Sequence, residues 1–308
     1  MKASRVHRFG APEVISFEDV DRPLPTEDEV VVHVSAAGVG PWDSWVRSGQ
    51  SVLPQPLPLT LGSDLCGTIV ALGESVRGLR VGQEVYGVTN PRFTGAYAEY
   101  AAARAAMIAS KPRGSSDIEA ASLPVIAVTA LQMVLHARVG PEQRVLIHGA
   151  GGSVGAAALQ LALARGAHVT GTDVKQGIEY AESLGASDLI DVRTTRFEES
   201  TEPFDVVIDT VGGDAQTRSF AVLKPGGSLV SSVSKPDPAL ASRAGVSANF
   251  LLVDVTTEAL SKITALVEAG TLKNRIGEVL PLAEARTAHE MLDGIVPRTP
   301  GKIMLQVG

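Results

Sequence analysis

A single cysteine, Cys66, is all that 308 residues provide. This excludes an intrachain disulfide framework and any structural zinc site built from several thiolates, and it fits a reducing, cytoplasmic setting. Positive charge is also short. Lysine and arginine number 27 against 34 aspartates and glutamates, a formal net charge of −7 with no concentrated basic stripe, so neither nucleic acid nor a membrane surface is expected as a partner. Long apolar runs are missing too. The longest, 120–135, is interrupted by Ser122, Pro124, Thr129 and Gln132 and falls short of the ~20 residues of a spanning helix. Residues 1–5 lead into His7, Arg8 and Pro12 rather than into an apolar segment, so no secretory signal or membrane anchor is expected.

What is present is the composition of a globular protein, 44% apolar and 20% charged, in a chain long enough for about two domains. Up to about residue 120 the pattern is one of short β-branched runs, at 29–34, 68–72 and 84–88, separated by Gly, Pro and Asp clusters. This predicts a mostly β domain. Beyond it, apolar strand-like runs at 144–148, 168–173 and 204–210 alternate with helical stretches at 154–164 and 177–184, which predicts βαβ units and a parallel sheet. A strand-like tail, 302–307, follows a helix expected at 282–292. That tail is expected to pack back on the first domain.

The segment RVLIHGAGGSVGAAALQLALARGAHVTGTD, residues 144–173, joins a strand, a glycine-rich turn, a helix and a second strand. Gly149 and Gly151 allow a tight turn, Gly152 removes bulk where a pyrophosphate would approach the backbone, and Gly155 lets the helix lie close to the strand. The free N–H groups of Ser153 and Val154 and the helix dipole would then hold a diphosphate without a basic side chain. Asp173, eighteen residues beyond Gly155, stands where an acid accepts hydrogen bonds from the adenosine ribose. Dinucleotide binding is the reading. A tight turn with a surface aspartate is the bland alternative.

With these motifs, the chain resembles the medium-chain dehydrogenase/reductase superfamily and, within it, the zinc-free quinone oxidoreductase branch that includes zeta-crystallin. Besides the glycine loop, the resemblance rests on AAGVGPWDSWVRSG (36–49), LGSDLCGTIVALG (61–73), GAYAEY (95–100), LPVIAVTAL (123–131), FDVVIDTVGG (204–213), LKPGGSLV (223–230) and PGKIMLQV (300–307). It implies an α/β protein with a GroES-like β substrate domain at 1–120 and 265–308 and a doubly wound Rossmann domain, built on a parallel sheet, at 121–264. It further implies a homodimer and a cleft where nicotinamide meets substrate. Thr129, Lys175, Arg193, Val211, Phe250 and Leu251 join the glycine loop and Asp173 as expected cofactor contacts, and Gly40, Trp42, Asp43 and Trp45 as the acceptor pocket.

Departures from the family pattern sharpen the expectation. Zinc-dependent relatives supply a cysteine and a Gly-His-Glu stretch, where this chain reads Gly40 and Gly62, Ser63, Asp64, so no metal is expected. The six histidines and Cys66 read as structural, and Asp64 as a structural acid. The asparagine amide of many quinone reductases is missing at Gly40, and tryptophan stands at position 45 where tyrosine is common. No catalytic acid or base is assigned. The chemistry that remains is hydride transfer from NADH or NADPH to a quinone or an α,β-unsaturated carbonyl, with solvent delivering the last proton. The acidic Asp173, and Val192 where NADPH-using relatives carry tyrosine, favour NADH.

Two other Rossmann readings fare worse. The residues four beyond Tyr86, Tyr97, Tyr100 and Tyr180 are Asn90, Ala101, Arg104 and Leu184, which removes a Tyr-x-x-x-Lys short-chain reductase, and a methyltransferase would leave the N-terminal motifs unexplained. A nucleotide-binding structural or regulatory protein without turnover is the alternative from a different class.

Overall fold

The computed structural model describes residues 1–199 and 202–307. In chain order its elements begin with β1 (Lys2–Val6), β2 (Ile15–Asp19), β3 (Glu29–Val39), α1 (Pro41–Ser48), β4 (Leu59–Thr60), β5 (Asp64–Leu72), β6 (Glu84–Val88), β7 (Tyr100–Arg104), β8 (Ile108–Ser110) and α2 (Asp117–Ala121). Next come α3 (Pro124–His136), β9 (Arg144–His148), α4 (Ser153–Leu163), β10 (His168–Asp173), α5 (Lys175–Ser183), β11 (Asp188–Asp191), β12 (Phe204–Asp209), α6 (Gly213–Ser219), β13 (Leu223–Ser231), α7 (Pro238–Ala244) and β14 (Ser247–Phe250). The chain closes with α8 (Thr257–Glu268), β15 (Ile276–Pro281), α9 (Ala285–Leu292) and β16 (Lys302–Gln306). No helix among the described residues is long and apolar enough to cross a membrane.

Two compact units form. The first gathers residues 1–125, 255–268 and 274 onward, and the second 126–254 and 269–273. In the first, β3 is the organising strand. Its valines are buried, and it pairs antiparallel with β5, β7 and β16, the last in the register Ile303↔Val39. The C-terminal tail is thus a sheet neighbour of β3, and it sets Lys302 beside the Val39–Gly40 end of that strand. Strands β15 and β8 lie at the two ends of this sheet, and β2, β1 and β4 form a second, smaller one. Val6, Val32, Leu61, Leu65, Ile69, Tyr97 and Leu305 are among the side chains of one continuous core.

The second unit is a six-stranded parallel sheet in the order β11-β10-β9-β12-β13-β14. The chain runs outward from β9 in one direction and from β12 in the other, so the strand order reverses between these two. Ligands of open parallel sheets bind at the carboxyl ends of the strands flanking such a reversal. Helix α4 is alanine-rich and almost wholly buried, which lets it lie close to the sheet.

The unit limits differ from those expected from sequence at three places, each for a local reason. Residues 255–264 pack with the first unit: the Tyr86 hydroxyl donates to the Leu260 carbonyl at 2.7 Å and the Thr257 hydroxyl to that of Ile108 at 2.8 Å. Residues 121–125 do likewise, with the Val125 N–H on Asp64 Oδ1 at 3.1 Å. Residues 269–273 instead join the second unit, where the Gln160 side chain bonds both the N–H and the carbonyl of Lys273.

Candidate active site

The glycine turn follows β9, beside the reversal point. Gly149 has φ +72°, a left-handed conformation that favours glycine, and its N–H donates to the Thr172 carbonyl at 2.9 Å. Gly155 is needed for space, since a Cβ there would overlap the Gly149 carbonyl. Gly151 turns out to be a close-approach position rather than a conformational one, because a Cβ would overlap the Cα of Gly177. Gly152 is different. It caps α4 in an extended conformation, and a Cβ built on it would meet only the Gly149 carbonyl oxygen, at 3.2 Å. Open space therefore lies in front of the first turn of α4, whose N–H groups at Ser153 and Val154 have no acceptor within the helix. That space and those donors fit a pyrophosphate.

The base of the turn is fixed by a buried histidine. His148, 1% exposed, bonds the Thr172 hydroxyl through Nδ1 and the Ser219 hydroxyl through Nε2, both at 2.8 Å. Ser219 gives its own proton to the Ala215 carbonyl at 2.7 Å, so Nε2 carries the imidazole hydrogen and Nδ1 accepts. Burial holds this imidazole neutral, at about 4, against the opposing pull of Asp209. His148 is thus structural, as expected, and it ties β9, β10 and α6 together. The Thr210 hydroxyl completes the tie with a 2.6 Å bond to the His148 carbonyl.

Asp173 ends β10 as expected, but its carboxylate is already engaged. Oδ2 accepts the Gly151 N–H at 2.8 Å and Oδ1 the Val174 N–H at 2.7 Å. The acid therefore shapes the glycine turn as well as facing solvent in part. This also explains Gly177. The helix expected from residue 177 begins at Lys175 and carries this glycine in its first turn, where a Cβ would overlap the Asp173 carboxylate. Val192, 48% exposed, bonds the Asp173 carbonyl through its N–H. Lys175 and Arg193 are exposed nearby in sequence, Val211 and Phe250 are exposed at the carboxyl ends of β12 and β14, and Leu251 is half-buried. Thr129 is buried on α3.

Of the four residues expected around the acceptor, Asp43 is placed differently from a pocket group. It is fully buried at the start of α1, where Oδ2 accepts the Gly40 N–H at 2.8 Å and the Tyr97 hydroxyl at 3.0 Å, while Oδ1 has no partner among the described residues. Burial pushes its pKa up to about 7, although the Gly40 N–H and the Lys302 charge favour the carboxylate. Asp64 is equally buried and is the structural acid expected, with Lys302 Nζ on Oδ2 at 3.0 Å. Trp42 is half-buried and Trp45 is 47% exposed. Among the described residues, no group of three or more His, Cys, Asp or Glu side chains is arranged to hold a metal ion.

A pH signature follows from Asp43. A carboxyl whose folded-state pKa lies above its unfolded value keeps a proton that the unfolded chain releases, so the Asp43 contribution to stability falls as pH rises from about 4 to about 7, against the opposite slope of the buried, neutral His148 and His289. Three units correspond to at most about 4 kcal/mol. Asp43→Asn should remove this falling component, so that stability measured by denaturant unfolding rises more, or falls less, between about pH 4 and 7 than in the parent protein. Parallel curves for the two proteins would contradict the assignment.

Residues 26–113 match the alcohol dehydrogenase GroES-like domain family, and residues 184–305 the zinc-binding dehydrogenase family. A quinone oxidoreductase of Lama guanicoe is 32% identical, over 95% of this chain and 93% of its own length. A 2-methylene-furan-3-one reductase of Solanum lycopersicum is 31% identical, over 99% of this chain and 79% of its own. Among solved structures, the quinone oxidoreductase of Coxiella burnetii superposes with a TM-score of 0.92 at 33% identity, covering 100% of this chain and 99% of that one. The Escherichia coli quinone oxidoreductase complexed with NADPH does so at 0.89 and 26%, covering 99% and 100%. A GroES-like unit joined to a parallel-sheet nucleotide unit is the architecture of a dehydrogenase, and the chain belongs to the medium-chain dehydrogenase/reductase superfamily, in its quinone oxidoreductase branch.

Proposed function

We propose that the protein is a zinc-independent oxidoreductase that reduces quinones or α,β-unsaturated carbonyls and prefers NADH to NADPH. The observation that carries this is the open cradle at Gly152, closed behind by the Gly151–Asp173 pair and aimed at by the first-turn N–H groups of α4. When bound, the reduced nicotinamide supplies a hydride. The chain's own part is to bind and orient: α4 receives the pyrophosphate, and Asp173 at the end of β10 is positioned for the ribose. Relatives named as quinone and furanone reductases support an electron-poor, conjugated acceptor. Such an acceptor takes up a hydride without a Lewis acid, whereas an unactivated carbonyl normally needs polarisation by a metal or a positioned proton donor.

The residues present do not fit a catalytic zinc. Position 40 has no side chain, position 63 offers only a serine hydroxyl, and the Asp43 and Asp64 carboxylates are buried and engaged. The purified protein is therefore expected to contain no stoichiometric zinc by elemental analysis and to keep its activity in chelator. One tightly held zinc per chain, with activity lost on its removal, would sink the metal-free reading. The function itself is tested by a spectrophotometric matrix of NADH and NADPH against quinones, enals, enones and saturated aldehydes. Turnover is expected with the conjugated acceptors, and saturated aldehydes emerging as the best substrates would refute the proposed class.

A further inference from the structure

Helix α5 starts with residues that suit a helix start poorly. Val174, at its N-cap, has no side-chain oxygen to offer, and Gly177 in the first turn is among the weakest helix formers. The backbone does not ask for this glycine, which lies within the helix and has no left-handed φ. What it leaves is space. A Cβ on Gly177 would overlap Cγ and both oxygens of Asp173, and one on Gly151 would overlap the Cα of Gly177. The glycine turn, the end of β10 and the first turn of α5 thus close on one another through residues 151, 173 and 177, of which only Asp173 has a side chain. Its carboxylate takes the place that an acid at position 177 would occupy in a capping box: Oδ1 accepts the Val174 N–H at 2.7 Å, while Oδ2 reaches the Gly151 N–H at 2.8 Å.

We propose that Gly177 is a positioning residue for the choice of dinucleotide, its missing side chain being what lets the Asp173 carboxylate lie inward between Gly151 and Val174. This rests on the NADH preference proposed above and adds the residue that enforces it. Held through both oxygens, the carboxylate cannot rotate without losing two hydrogen bonds. Its charge is therefore fixed at the end of β10. A fixed acceptor suits ribose hydroxyls because it is organised before they arrive, and a fixed charge excludes a 2′-phosphate because it cannot swing away from it. A methyl group at position 177 turns the carboxylate out of this place. Once loosened, it serves the hydroxyls less well and yields more readily to the phosphate. The fold survives the exchange, because the group that must move is the tip of a side chain and alanine is the better helix former.

The test measures the dissociation constants of NADH and NADPH by calorimetry, alongside thermal melting, for the parent chain, Gly177→Ala, Asp173→Ala and the double variant. Gly177→Ala is expected to melt within roughly 5 °C of the parent and to reduce the preference for NADH over NADPH about tenfold, mostly by weakening NADH. Asp173→Ala should reduce the preference at least as far. Adding Gly177→Ala to it should change the ratio no further, since the group to be displaced is gone. An unchanged ratio in folded Gly177→Ala would leave the glycine a packing residue and overturn the inference. So would a fall of the same size in the Asp173→Ala background, because the effect would then not pass through the carboxylate. Gly177→Ser, whose Cβ enters the same space, is read in the same way should Gly177→Ala not fold, and failure of both to fold would make the glycine a requirement of the unit and overturn the inference. Asp173→Ala separates this from the reading beneath it. A ratio that it leaves unchanged removes the NADH assignment and the role of Gly177 together; a ratio that it shifts while Gly177→Ala does not removes the role of Gly177 alone.

Discussion

Replacing Gly152 by valine is expected to weaken NADH binding by about a hundredfold or more, ~3 kcal/mol, in a protein that still folds. The two halves of this expectation come from one observation. A Cβ at residue 152 meets only the Gly149 carbonyl oxygen, at 3.2 Å, and the backbone there is extended, at φ −75° and ψ 163°. A Cβ there asks the Gly149 carbonyl to give by a few tenths of an ångström, and valine adds the cost of a poorer helix cap, roughly 1 kcal/mol. Its methyl groups then fill the space in front of Ser153 and Val154, where the pyrophosphate would receive their N–H groups. Gly155→Val provides the contrast, because a Cβ there overlaps the Gly149 carbonyl and should destabilise the unit itself. Calorimetric titration and thermal melting of both variants decide the matter. Unchanged NADH affinity in folded Gly152→Val would show that phosphate binds elsewhere.

Cofactor choice is expected to follow Asp173, with a kcat/KM for NADH about tenfold above that for NADPH. A carboxylate ~4 Å from a 2′-phosphate is repelled by about 4 kcal/mol per charge pair at an effective dielectric of 20, before relaxation and screening reduce it. Val192, the exposed neighbour of Asp173, offers no charge to offset this. Asp173→Asn is the informative substitution, because it removes the charge yet keeps an oxygen for the Gly151 N–H held at 2.8 Å, giving up only the bond from the Val174 N–H at 2.7 Å. It should raise the efficiency with NADPH about tenfold while costing only a few-fold with NADH. A wild-type protein that favours NADPH tenfold would reverse the assignment. Lys175 or Arg193, both exposed, would then be the groups that meet the phosphate.

The order of strands and helices, the glycine turn and Asp173 at a strand end are determined by the sequence itself, because each depends on short-range pattern. Alternating and continuous apolar runs set element type over five to ten residues, and the turn needs small residues at fixed spacing whatever surrounds it. Even the β character of the tail at 302–307 is local. The tertiary structure alone decided what those elements bring together. Lys302 meets Asp64 across 238 residues of chain, and Tyr97 turns Asp43 from a supposed pocket acid into a buried, hydrogen-bonded one. Trp42 folds back over Gly40 because no side chain stands there, and Asp173 spends its lone pairs on the glycine turn as well as on solvent. Residues 255–264, expected in the nucleotide unit, join the first one through hydrogen bonds to Tyr86 and Ile108. Burial and hydrogen-bond satisfaction are properties of a packed volume and not of a stretch of chain, so the residues that carry the site's electrostatics became readable only once distant strands had been set side by side.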